Sequence, residues 1–105
     1  MDFGEEICEM SDLFFPKKEL FNLSSQINRA GDSVALNISE GSIMQSNAEF
    51  RRFLGYSIRS ISEVVTCLYK ARRRNYIEEE KINKIYSDAF NLMNQIIAFR
   101  NQLKY

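Results

Sequence analysis

Residues 46–73, SNAEFRRFLGYSIRSISEVVTCLYKARR, decide the fold. Phe50, Phe53, Leu54, Ser57, Ile58, Ile61, Val64, Val65 and Leu68 fall on one side of an α-helix when wound at 3.6 residues per turn. Ser46, followed three residues later by Glu49, is a capping box that satisfies the first free N–H groups of this helix. Lys70, Arg72, Arg73 and Arg74 make its last turn basic, which the helix dipole favours. The stretch therefore predicts one long amphipathic helix lasting to about Arg73.

The same period extends in both directions. Upstream, Leu20, Leu23, Ile27, Ala30, Val34 and Ile38 form an apolar stripe, predicting a helix from about Lys17 to Glu40 with Gly41 as its C-terminal cap. Residues Gly41 to Gln45 then form a loop. Earlier still, Phe3, Ile7, Met10 and Phe14 predict a short helix from Met1 to about Leu13. It ends at Phe15-Pro16, because the residue before proline is pushed out of the α region. Pro16 and Glu19 suit the first turn of the next helix. Downstream, Asn75-Tyr76 breaks the pattern, and Glu78, Glu79 and Glu80 supply the acidic first turn of a fourth helix. That helix carries Ile82, Ile85, Tyr86, Ala89, Phe90, Met93, Ile96, Ile97 and Leu103 towards the C-terminus.

Three helices of about 23–28 residues span roughly 35–40 Å each, and short connections make neighbours antiparallel. The expected fold is an all-α, antiparallel up-down four-helix bundle with a shortened first helix, a single domain over residues 1–105. The short first helix leaves part of its partners' apolar stripes uncovered. Either the chain is trimmed or another subunit covers the gap.

Composition narrows the function. The 105 residues hold 14 Lys+Arg and 14 Asp+Glu, a formal charge of zero. This argues against a bulk-basic nucleic-acid binder while leaving room for a local patch. Histidine is absent, which removes the commonest general base and metal ligand. With one proline and four glycines, the chain is poorly supplied with the turns of an all-β fold. Asp2, Glu5, Glu6, Glu9 and Asp12 precede the first cation, Lys17, so the start does not resemble a secretory signal. The apolar run Ile96-Ile97-Ala98-Phe99 is far short of the ~20 residues of a membrane span. Cys8 and Cys67 lack metal-site spacing and read as buried or half-buried thiols in a reducing compartment. A cytoplasmic location, no membrane, no metal and no cofactor are expected.

Two constellations stand out. On the second predicted helix Gln26, Arg29, Ser33, Asn37 and Glu40 form a polar stripe roughly 110° from the centre of the apolar one. It is expected to be a hydrogen-bonded seam between helices or subunits, with Ser33 and Asn37 meeting Ser60 or Glu63 of the third helix; a shared binding surface is the other reading. From Arg51 to Arg74 seven basic residues stand against one acid, Glu63, a net charge of plus six. Arg52, Arg59, Lys70 and Arg73 lie within roughly 60° of one another, opposite the apolar face. They form either a solvated helix back with an Arg59–Glu63 pair or a surface for an anionic partner such as RNA backbone. No aromatic residues interleave with them for base stacking. Glu78–Glu80 read as a helix start rather than a metal site, and Tyr56, Tyr69, Tyr76 and Tyr86 as core-edge packing. No nucleophile–base pair, phosphate-cradling loop or di-metal motif is present.

The residues also carry a resemblance. Phe15-Pro16-Lys17-Lys18-Glu19, Ser25-Gln26-Ile27-Asn28-Arg29-Ala30, Ser33 and Asn37-Ile38-Ser39-Glu40-Gly41 resemble the small bacterial four helix bundle protein family, first noted as reading frames in intervening sequences of large-subunit ribosomal RNA genes. Glu49-Phe50, Phe53-Leu54, Ser60 and Glu63 resemble its third-helix signature. The loop Ser42-Ile43-Met44-Gln45 departs from it, lacking the basic residue many members carry. The resemblance implies a homopentameric barrel of four-helix bundles without enzymatic activity. It extends distantly to the accessory protein of diversity-generating retroelements, which binds a reverse transcriptase and uses a basic surface. The expected function is a non-catalytic, self-assembling scaffold or adaptor whose partner is itself, as a pentamer, and also another protein. The alternative is an accessory nucleic-acid-binding protein using the third-helix arginines, with weak affinity at most.

Overall fold

The structure, a computed structural model, describes residues 2–104. Met1, assigned above to the first helix, lies outside them. The described residues form four α-helices and one short 3₁₀ turn: α1 (Phe3–Phe14), the turn Lys17–Glu19, α2 (Leu23–Ser42), α3 (Asn47–Arg73) and α4 (Glu79–Gln102). The protein is all-α, an antiparallel four-helix bundle about 45 Å long.

Capping explains the starts of α1 and α3 and the end of α3. The Asp2 carboxylate accepts the Glu5 N–H at 2.8 Å, and the Ser46 hydroxyl accepts the Glu49 N–H at 3.2 Å, each satisfying an N–H that a helix leaves unpaired. Asn75 sits at φ 59°, a left-handed conformation asparagine tolerates. It ends α3 in a Schellman arrangement: the Tyr76 N–H donates to Ala71 O and the Asn75 N–H to Arg72 O.

The second helix departs from the expectation at both ends. It begins at Leu23 rather than Lys17. Residues 17–19 turn as 3₁₀ instead, because the Glu19 carboxylate is buried and pinned from the far side of the bundle. Leu20, counted in the apolar stripe, is therefore 57% exposed. Gly41 does not cap the helix, which runs on to Ser42. It is buried against α3, where a Cβ would stand 2.7 Å from Phe53 Cβ and 2.8 Å from Phe50 Cδ1. Glycine is there for close approach, not for a positive φ.

The short first helix divides the core in two. Ile7 and Met10 of α1 join Leu23, Ile27, Val64, Leu68, Ile82 and Ile85 in a cluster to which all four helices contribute. Beyond it Val34, Leu54, Ile61, Ala89 and Ile96 come from α2, α3 and α4 alone, with Phe3 at the edge. Past the start of α1 a groove of about 330 Å³ opens over Phe3, Val34, Ala35, Ile38 and Leu92. The shortened helix does leave apolar surface open.

Candidate interaction surface

The polar stripe of α2 does not act as a unit within one chain. Ser33 Oγ donates to Arg29 O at 2.8 Å, and Asn37 Nδ2 to Ser33 O at 2.8 Å. Ser60 Oγ on α3 donates to Tyr56 O at 3.1 Å. All three bonds return to the residue's own helix. Among the described residues no hydrogen bond joins Ser33 or Asn37 to Ser60 or Glu63. A buried polar tie between these helices is Ser57 Oγ, which donates to Val34 O at 2.8 Å. The signal was present: a serine inside an apolar stripe must find an acceptor when buried.

Part of the stripe meets the basic face instead. Gln26 and Arg29 from α2 and Arg59, Glu63, Cys67 and Lys70 from α3 line a shared groove of about 330 Å³. Cys67 lies at its floor, its Sγ 3.9 Å from Gln26 Oε1, with its thiol pKa raised by burial. Ser33, Asn37 and Glu40 lie farther along α2, and Arg52 and Arg73 above and below on α3.

The charges of α3 are arranged differently from the expectation. Arg59 does not pair with Glu63; among the described residues the ion pairs are Arg72–Glu79, Arg74–Glu19, Lys84–Glu6 and Lys84–Asp88. Aromatic rings do flank this face: the Arg59 guanidinium lies 5.8 Å from the Tyr56 ring centre and that of Arg52 5.5 Å from Phe53, within cation–π range. Tyr76 and Tyr86 are half-buried at the core edge as expected, but Tyr69 is 54% exposed.

Opposite charge gathers on α1. Glu5, Glu9 and Asp12 are exposed, and Cys8 between them is exposed rather than half-buried. Desolvation raises the Cys8 thiol pKa, with the Asp12, Asp32 and Glu9 carboxylates adding to the shift. A proton held on sulfur makes a poor nucleophile. Glu78 holds the N-cap position of α4 without a side-chain capping bond, and Glu79 and Glu80 lie in the first turn. Among the described residues no group of three Cys, Asp or Glu side chains is placed to hold a metal ion. No helix of the described chain is long and apolar enough to cross a membrane.

Large apolar side chains also reach solvent. Phe21 is 93% exposed, Ile43 79%, Leu13 76% and Leu36 57%. Leu36 lies on α2 off its core side, and Phe21 lies in the turn just before that helix.

The chain is similar to known proteins both in sequence family and in fold. A family model described as 23S rRNA-intervening sequence protein matches residues 1–98. A crystal structure of a protein with unknown function from the S23 ribosomal protein family of Bacteroides thetaiotaomicron superposes with a TM-score of 0.85, at 26% identity over 93% of this chain and 91% of that one. No curated protein matches the chain.

Proposed function

We propose, from the premise that this chain belongs to the 23S rRNA-intervening sequence protein family, that it is a non-catalytic bundle which assembles with itself and serves as a protein–protein scaffold in the cytoplasm. The observation that carries this reading is the exposure of Phe21, Leu13 and Leu36 on the single chain, beside a core whose far end has only three helices. Exposed apolar surface, where it gathers into a patch, marks interfaces. The resemblance noted in the sequence favours five copies. Polar residues of α2 that bond only within their own helix, Ser33 and Asn37, are then available to fix register between copies.

A second reading has its own support. Among the described residues Arg52, Arg59, Lys70 and Arg73 take part in no ion pair, and two of them stand over aromatic rings. Such a face suits the phosphates and bases of single-stranded RNA. Net charge zero and the uncharged loop at residues 42–45 favour the first reading.

Light scattering at micromolar concentration, alone and with added RNA at about 50 and 200 mM salt, separates them. The scaffold reading expects a mass several times 12.3 kDa without RNA and at most micromolar RNA affinity, lost as salt rises. A monomer that binds RNA tightly at the higher salt would reverse the ranking.

A further inference from the structure

We propose that copies of this chain join head to tail, the acidic outer face of α1 on one copy lying in the basic groove between α2 and α3 on the next. The proposal rests on the self-assembly reading above and names the two faces that meet.

The faces are unlike, and among the described residues the acids of one and the bases of the other form no ion pair. At about 100° per residue Glu5, Glu9 and Asp12 cluster on the side of α1 opposite Ile7 and Met10, which are buried. Between Asp2 and Asp12 the chain has five acids and no base. Across the molecule Arg29, Arg59 and Lys70 line the groove against one acid, Glu63. Among the described residues none of Glu5, Glu9, Asp12, Arg29, Arg59 or Lys70 takes part in an ion pair. Among the described residues Asp12 is engaged only by the weak donor Cys8 Sγ, at 3.9 Å.

Shape agrees with charge. An isolated helix is a convex ridge, and α1 with 12 residues is about 18 Å long. The groove runs about 17 Å along α3 from Arg59 to Lys70 at about 1.5 Å per residue. The Arg59 head is held over Tyr56, which limits the side-chain freedom lost on docking. Apolar area is available on both sides: Leu13, 76% exposed, at the end of α1, and Tyr56, 37% exposed, beneath Arg59 on α3. Charge then sets which faces meet, and apolar contact supplies affinity.

Placement decides the symmetry. α2 packs between α1 and α3, and α3 packs on α4, so α1 and α3 stand diagonally and direct their outer faces to different sides. A two-fold dimer through either face would press like charges together. Pairing unlike faces is heterologous, and a heterologous contact that closes makes a ring.

The test is charge exchange on the full chain. One variant reverses α1 (Glu5→Lys, Glu9→Lys, Asp12→Lys) and another the groove (Arg29→Glu, Arg59→Glu, Lys70→Glu), with helix content checked by circular dichroism. Each alone is expected to scatter light as a monomer. An equimolar mixture is expected to associate again into alternating oligomers, because each variant then offers the face the other needs, although a ring of five keeps one mismatched joint. Should either reversal fail to fold, the neutral sets (Glu5→Gln, Glu9→Gln, Asp12→Asn; Arg29→Gln, Arg59→Gln, Lys70→Gln) are each expected to weaken assembly at least tenfold. Variants that assemble like the wild type, or a mixture that stays monomeric, would overturn this pairing and leave self-assembly standing. A wild-type chain that is monomeric at every concentration, with RNA bound through the groove, would overturn both.

Discussion

Glu19 is a carboxylate buried where two connections cross. It accepts hydrogen bonds from Tyr76 Oη at 2.6 Å, Arg74 Nη1 at 2.7 Å and Asn22 Nδ2 at 3.0 Å. The Tyr76 hydroxyl, followed by Asn22 and Arg74, holds the Glu19 carboxyl below the usual carboxylate range, against the opposing effect of burial. A carboxyl with a lowered folded pKa stabilises the fold above its unfolded pKa, and that stability is lost as pH falls through the folded value. The same contact raises the Tyr76 pKa, so the tyrosine's share is present below its unfolded pKa and lost as pH rises through the folded one. Glu19→Gln is expected to lower the thermal midpoint at neutral pH and to flatten its decline in acid. Thermal melts at pH 7 and below pH 4 check this, and equal acid slopes in the two proteins would refute it. The sequence marks Glu19 as a favourable charge near a helix start. Its partners Arg74 and Tyr76 lie 55 and 57 residues away, beyond the reach of any periodicity.

Whole elements were legible where a stripe of branched and aromatic residues repeats. α3 and α4 follow their stripes to within a residue or two, because Ser46 and the Glu78–Glu80 run fix the starts and Asn75 the stop. α2 was misplaced at the ends for tertiary reasons: the Glu19 anchor overrides helix propensity at its start, and close packing against α3 keeps Gly41 inside its last turn. Gly41→Ala tests the second cause, since two effects oppose each other there. Alanine favours an α-helix over glycine by about 1 kcal/mol. Its methyl would meet Phe53 Cβ at 2.7 Å, an atom that moves only with its backbone, and overpacking costs about 1–3 kcal/mol. The clash is expected to win, with a net loss of about 1 kcal/mol in urea unfolding. A stabilised variant would mean that α2 and α3 part readily at this end. The candidate site was half legible for the same reason as α2. Helical geometry places Arg59 and Lys70 on one face, but only packing shows that Arg29 and Gln26 of α2 complete the groove.

At the scale of the molecule, a formal charge of zero conceals separation: the acids gather on α1 and the bases on α3. Composition cannot register this, because it sums over faces that point apart. Apolar residues raise the same difficulty, since a phenylalanine counts towards the core wherever it lies. Phe21 is 93% exposed, so the single chain gains almost nothing from it on folding. If it is covered in an assembly, burial contributes about 1.5–3 kcal/mol per copy, a factor of about ten to a hundred in the association constant. Phe21→Ser separates folding from assembly. The helix content and the unfolding free energy of the dissociated chain should change by less than about 0.5 kcal/mol. The concentration at which assemblies fall apart, followed by light scattering on dilution, should rise ten- to a hundredfold. If dilution leaves the variant as intact as the wild type, Phe21 lies outside the contact. Leu13 and the charges of α1 would then have to carry the interface.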